Sequence, residues 1–139
     1  MGTVHAFSDH MSRLSLSLAL VCVLAVTGCK KHYSSNCSRA VDLVAPWSAL
    51  ALPTGDGNGR VCSSTDRKTD IEHLSGTETE WEKRYEDALL AQGYTKDRCS
   101  SLACDYLKPG EKINVHANQV ATGRKAKTIV HLTRTPPKS

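Results

Sequence analysis

Three histidines carry the most specific chemistry this chain could perform. His73, His116 and His131 lie in segments that alternate polar and apolar residues. Imidazoles gathered on one face bind zinc or copper. In residues 112–118, Ile113, Val115 and Ala117 point one way and Asn114, His116 and Asn118 the other. In residues 128–134, Val130 and Leu132 oppose Ile129 and His131. A hairpin of these two segments sets His116 beside His131, and His73 could join them from a neighbouring strand. No Asp or Glu is placed as an orienting partner for the trio, and solvated histidines on a strand face are the commoner arrangement. The expectation is therefore no metal and no cofactor, with these three as the residues to test.

Other reactive groups form no recognisable catalytic pattern. Cys62 with a histidine can be written as a nucleophile pair, but in an oxidising compartment such a thiol is expected in a disulfide. Cys99 and Cys104 have a loosely zinc-like spacing without a second pair. The chain has no Gly-x-Ser-x-Gly elbow, no His-Glu-x-x-His and no phosphate loop. Ser34, Ser35, Ser63 and Ser64 sit in polar stretches. Asp56, Asn58 and Gly59 begin like a calcium loop, but the closing position falls on Arg67 rather than a carboxylate. The expectation is a protein that is not an enzyme.

The elements that would position these residues follow from periodicity. Residues 60–65 and 71–74 read as strands, with 66–70 as a charged turn between them. Ser75 and Thr77 are both candidate N-caps, each followed three residues later by a glutamate. Trp81, Tyr85, Ala88, Leu89 and Gln92 then recur at helical spacing, and Gly93 suits a C-cap. Glu78, Glu80 and Glu82 complement the start of that helix. A strand over 105–108, the Pro109-Gly110 turn, and strands over 112–118 and 128–134 complete the pattern. The fold expected is α+β. One amphipathic helix packs on a small antiparallel sheet of four to five strands.

The N-terminal segment has a different character. Arg13 precedes Leu14–Val26, an apolar run too short to span a bilayer as a helix, which takes ~20 residues. Small residues follow, in Leu24-Ala25-Val26-Thr27-Gly28-Cys29. This layout resembles a bacterial lipoprotein signal peptide with its lipobox. The resemblance implies cleavage before Cys29 and lipidation of its sulfur, including palmitate-type chains. Met11 is the more natural start than Met1. Lys30 stands where Asp would favour inner-membrane retention, so the resemblance points to the outer membrane of a bacterial envelope. Several buried acyl chains at ~0.8 kcal/mol per methylene make a permanent anchor.

Export changes how the cysteines are read. Cys37, Cys62, Cys99 and Cys104 remain after Cys22 and Cys29 are set aside, and an even count in an oxidising compartment reads as two disulfides. Cys99–Cys104 with Cys37–Cys62 is one pairing. Cys62 to Cys99 or Cys104 is the rival. The domain plan is a signal peptide over 1–28, a lipidated tether and apolar linker over 29–53, the α+β domain over 54–135 and a tail over 136–139.

Charge suggests the kind of partner. The chain holds 18 Lys and Arg against 14 Asp and Glu. Lys108, Lys112, Arg124, Lys125, Lys127, Arg134 and Lys138 face a single acid, Glu111, in the C-terminal third. Besides the membrane that holds the lipid, anionic envelope polymers or another envelope protein are the partners expected. Nucleic acid is not, because aromatic stacking platforms are missing. The role expected is a non-enzymatic accessory or interaction module. The rival is a small-ligand or metal-binding periplasmic lipoprotein using His73, His116 and His131.

Overall fold

The computed structural model describes residues 33–54, 59–101, 103–122, 125–136 and 138. The segment expected to be a signal peptide with a lipobox, and residues 55–58 of the glycine-rich cluster, lie outside the described residues. Among those described, six strands and one α-helix follow the order β1 (Gly59–Ser64), β2 (Lys68–His73), α1 (Glu78–Ala91), β3 (Thr95–Cys99), β4 (Cys104–Lys108), β5 (Glu111–Thr122) and β6 (Lys125–Thr135). Short 3-10 turns at Ser35–Cys37 and Trp47–Ala49 precede β1. The strands form one sheet in the order β1-β2-β6-β5-β4-β3, and every pair is antiparallel.

The expected α+β class holds, but the sheet has six strands rather than four to five. The extra strand is β3. Its sequence, Thr-Lys-Asp-Arg-Cys, is exposed at every position and carries no apolar alternation. It pairs on one side only, with β4, and a register irregularity falls between Lys96 and Cys99. The β2 strand also begins earlier than its pattern indicated, at Lys68, so Asp70 lies in a strand and not in a turn.

Helix α1 begins at a complete capping box. Thr77 Oγ1 accepts from the Glu80 amide at 3.3 Å, and the Thr77 amide donates to Glu80 Oε2 at 2.7 Å. The helix ends on Gly93, at φ +89°, with the Tyr94 amide donating to the Leu89 carbonyl and the Gly93 amide to the Leu90 carbonyl. These are the two bonds of a Schellman ending.

Trp81, Tyr85 and Leu89 form the buried stripe of α1. They cover the sheet face that carries Ile71, Tyr106, Ile113, Val115, Ala117, Val130 and Leu132. Strand alternation then commits the intervening residues to the other face. That second face carries Asp70 and Glu72 of β2, Asn114, His116 and Asn118 of β5, and Ile129, His131 and Thr133 of β6. It is the helix-free face of the sheet.

Candidate functional site

The first candidate region is where the incoming chain meets the sheet. Glu72 is fully buried although its side chain belongs to the helix-free face. The Ser34 amide donates to both of its carboxylate oxygens, at 3.1 and 3.0 Å, and the Ser34 hydroxyl donates at 3.1 Å. A buried carboxylate is tolerable only when hydrogen-bonded in this way. Three residues on, Cys37 is disulfide-bonded to Cys62. Cys62 is the extra residue between the Val61 and Ser63 pairings of β1, so a bulge presents its sulfur. Arg60 completes the clasp. Its guanidinium donates to the Cys37 and Ser38 carbonyls, both at 3.1 Å, and lies 3.7 Å over the Tyr33 ring.

Beyond the clasp the chain wraps the outer edge of β1. The Val41 amide donates to the Val61 carbonyl, and the Val44 amide to Ser64 Oγ. Trp47 then enters the core fully buried, its indole N–H donating to the Thr65 carbonyl at 2.6 Å. Leu50 and Leu52 follow it inside. Residues 34–52, read as tether and linker, are thus an integral strap from Ser34 onward.

Cys37, Cys62 and Glu72 come within 4.8 Å of one another, a spacing a metal would suit. The two sulfurs are bonded to each other and offer no thiolate, so the cluster is a structural staple.

The second region is a row across the helix-free face. Registers β2–β6 and β5–β6 set Asp70 opposite His131, and His131 opposite His116. Ser63 Oγ donates to Asp70 Oδ2 at 2.7 Å. Asp70 Oδ1 lies 2.6 Å from His131 Nδ1, and Lys68 Nζ lies 3.4 Å from Oδ2. The imidazoles of His131 and His116 have centroids 5.9 Å apart, tilted by 41°. Burial alone would raise the Asp70 pKa. Hydrogen bonds from His131 and Ser63 and the charges of His131 and Lys68 outweigh it, holding the carboxyl at about 2. The expectation that no acid orients these histidines is corrected: Asp70 does, from a strand 61 residues away in sequence.

The structure brings His116 and His131 together and sends His73 elsewhere. His73 lies on the opposite face of the sheet, fully buried under the helix. It stacks on Trp81 with centroids 3.4 Å apart, and its Nε2 is 3.0 Å from the Tyr85 hydroxyl. Parity explains the placement, since His73 shares a face with Ile71 and Ile71 points inward.

The remaining sequence candidates are structural or partly engaged. Cys99 and Cys104 are cross-strand partners joined by the second disulfide, and no disulfide joins Cys62 to either. Beside Cys104, an open cleft of about 210 Å³ is lined by Glu82, Lys83, Glu86, Lys96 and Tyr106. Three of its polar groups bind one another: Glu86 accepts from Lys96 at 2.6 Å and from the Tyr106 hydroxyl at 3.1 Å. Part of the basic C-terminal third is engaged by partners within the domain. Lys112 pairs with Asp105, Arg134 with Glu111, and Lys108 donates to the Gln92 carbonyl. Glu111 in addition accepts from the Tyr94 hydroxyl. Burial raises the Glu111 pKa, but the bonds from Tyr94 and Arg134 prevail and hold it below its ordinary value.

No known family, curated protein or solved structure matches the chain. No helix among the described residues is long and apolar enough to cross a membrane.

Proposed function

We propose that the chain is a membrane-anchored envelope lipoprotein serving as a non-enzymatic accessory or interaction module. The observation that carries this reading is the clasp at Ser34. Cys29, the lipidation candidate, lies five positions before a residue bonded to the buried Glu72 carboxylate. Five extended residues reach at most about 18 Å. A lipid on Cys29 would therefore hold the domain close against the bilayer instead of at the end of a long leash. Both disulfides suit the oxidising compartment that the lipobox implies.

The environment of the reactive groups supports a non-catalytic role. Ser63 donates to Asp70, not to a histidine, and Cys62 is engaged in a disulfide. The pairing of Lys112 with Asp105 and of Arg134 with Glu111 lowers the free positive charge of this region and so favours another envelope protein over an anionic polymer as the partner. Outer-membrane placement rests on Lys30 alone.

Mass spectrometry of the protein extracted from membranes tests the anchor. The expected product begins at Cys29 and carries a diacylglyceryl group, and Cys29→Ser moves the protein to the aqueous fraction. An uncut chain with an unmodified Cys29 contradicts the proposal. Photo-crosslinking in living cells from the exposed Val41, Val44 and Leu90 tests the interaction role. A discrete protein adduct from at least one position supports it, and none from any position counts against it.

A further inference from the structure

We propose that His116 and His131 form a binding site for one imidazole-seeking divalent cation, zinc or copper(II), on the helix-free face of the sheet. This site is independent of the lipid anchor.

Three observations carry it. First, the ring nitrogens of His131 have distinct roles. Asp70 is an anion with no proton to give, so the 2.6 Å contact requires Nδ1 to be the donor. In the neutral ring this leaves a lone pair on Nε2, the form a metal takes. Ser63 and Lys68 hold the carboxylate from its other oxygen, so the imidazole is oriented before any ion arrives. Carboxylate–histidine–metal chains are built this way.

Second, His116 Nε2 is shielded from water and has no hydrogen-bond partner among the described residues. Leaving such a nitrogen unmet is costly, and histidine on a strand is easily replaced by a residue with no such demand. A bound cation satisfies it.

Third, the spacing is close to what a shared ion needs. Two imidazoles on one tetrahedral zinc, each at ~2.1 Å, have ring centroids roughly 5 to 5.5 Å apart. The observed separation is 5.9 Å. A small rotation of His131, whose side chain is 31% exposed, closes the difference. The two rings come from directly opposed residues of the long β5–β6 ladder, so the backbone holds them in register. Water would complete the coordination, because no third His, Cys, Asp or Glu among the described residues converges with this pair. Two nitrogens of this kind favour copper(II) over zinc at equal supply.

The test uses the full mature chain, extracted in detergent and stripped with chelator, with copper(II) alone as the probe. Spin-resonance spectra are expected to show one copper per chain with coupling to two imidazole nitrogens, at a dissociation constant on the order of 10 μM or tighter. His116→Gln and His131→Gln should each weaken uptake at least tenfold. Asp70→Asn should weaken it by about 10- to 100-fold through loss of orientation. His32 stays in every variant, so copper held by the tether is told apart. Without metal, His116→Gln should melt no lower than wild type and His131→Gln somewhat lower, because it loses the bond to Asp70, and zinc should raise the melting temperature of wild type only. Wild-type uptake by a chain carrying both His116→Gln and His131→Gln, or no stoichiometric uptake by the wild-type chain, overturns the proposal.

Discussion

The two ends of the sheet solve the same problem by different means. Each ends in an edge strand with unpaired backbone groups, and each carries a disulfide. At the β1 end a strap of chain covers the edge, buries Trp47, Leu50 and Leu52, and is pinned through Cys37–Cys62. At the β3 end nothing among the described residues covers the edge. That strand is five residues long, irregular in register, and carries Lys96, Asp97 and Arg98. Short, charged, irregular edges resist pairing with other chains. The β1 end is therefore built into the core by chain that precedes the sheet. The β3 end is a local hairpin that protects itself.

This contrast predicts a graded response to mutation. Trp47→Ala should be the most damaging, costing about 3–5 kcal/mol in urea denaturation, because a fully buried indole and its bond to Thr65 are lost together. Opening the two disulfides should separate the ends next. Cys37 and Cys62 are 25 residues apart, and Cys99 and Cys104 are 5 apart. Loop-closure entropy assigns roughly 3.5 kcal/mol to the first and roughly 2 kcal/mol to the second when each pair is changed to serine. Equal costs would mean that the strap is not an integral part of the fold.

A finer test lies in the helix approach. Gly76 has φ +90°, and a Cβ there would fall 2.5 Å from Trp81 Nε1. That nitrogen donates to the Ser75 carbonyl, and the ring supports His73. Gly76→Ala should cost about 1–3 kcal/mol, and melting curves would show it.

Acid should act at the row across the sheet. The Asp70 carboxyl titrates at about 2 when folded, against an ordinary value of 3.8. Its stabilisation is thus fully present above about pH 4 and is lost as pH falls toward 2, which makes about 1–2 kcal/mol after solvent screening. Asp70→Asn should remove that part of the acid sensitivity. The smallest effect belongs to the β3 end. Lys96→Ala breaks an exposed pair with Glu86 and should cost less than about 1 kcal/mol.

How far each region could be read from sequence follows the same division. Helix α1 was legible because its signals are local: a glutamate three residues after Thr77, apolar residues at helical spacing, and Gly93. The facing of His116 and His131 was legible from alternation alone. The placement of His73 was also available, since it shares parity with Ile71. The partners were not legible. Asp70 reaches His131 across 61 residues, and Ser34 reaches Glu72 across 38. Nothing in the charge pattern marks Glu72 as an acid that will be buried, because its partners are the amide and hydroxyl of an uncharged serine. Strand β3 is illegible for the opposite reason: an edge strand exposed at every position has no buried face, so no apolar period marks it.

The central claim is that the chain just beyond the lipidation candidate is bolted to the sheet at Glu72. Amide hydrogen exchange at Ser34 tests it most directly. The account predicts that the Ser34 amide exchanges at least a hundredfold more slowly than free peptide, with protection falling in Glu72→Ala. Exchange at the free-peptide rate in the intact protein would contradict it.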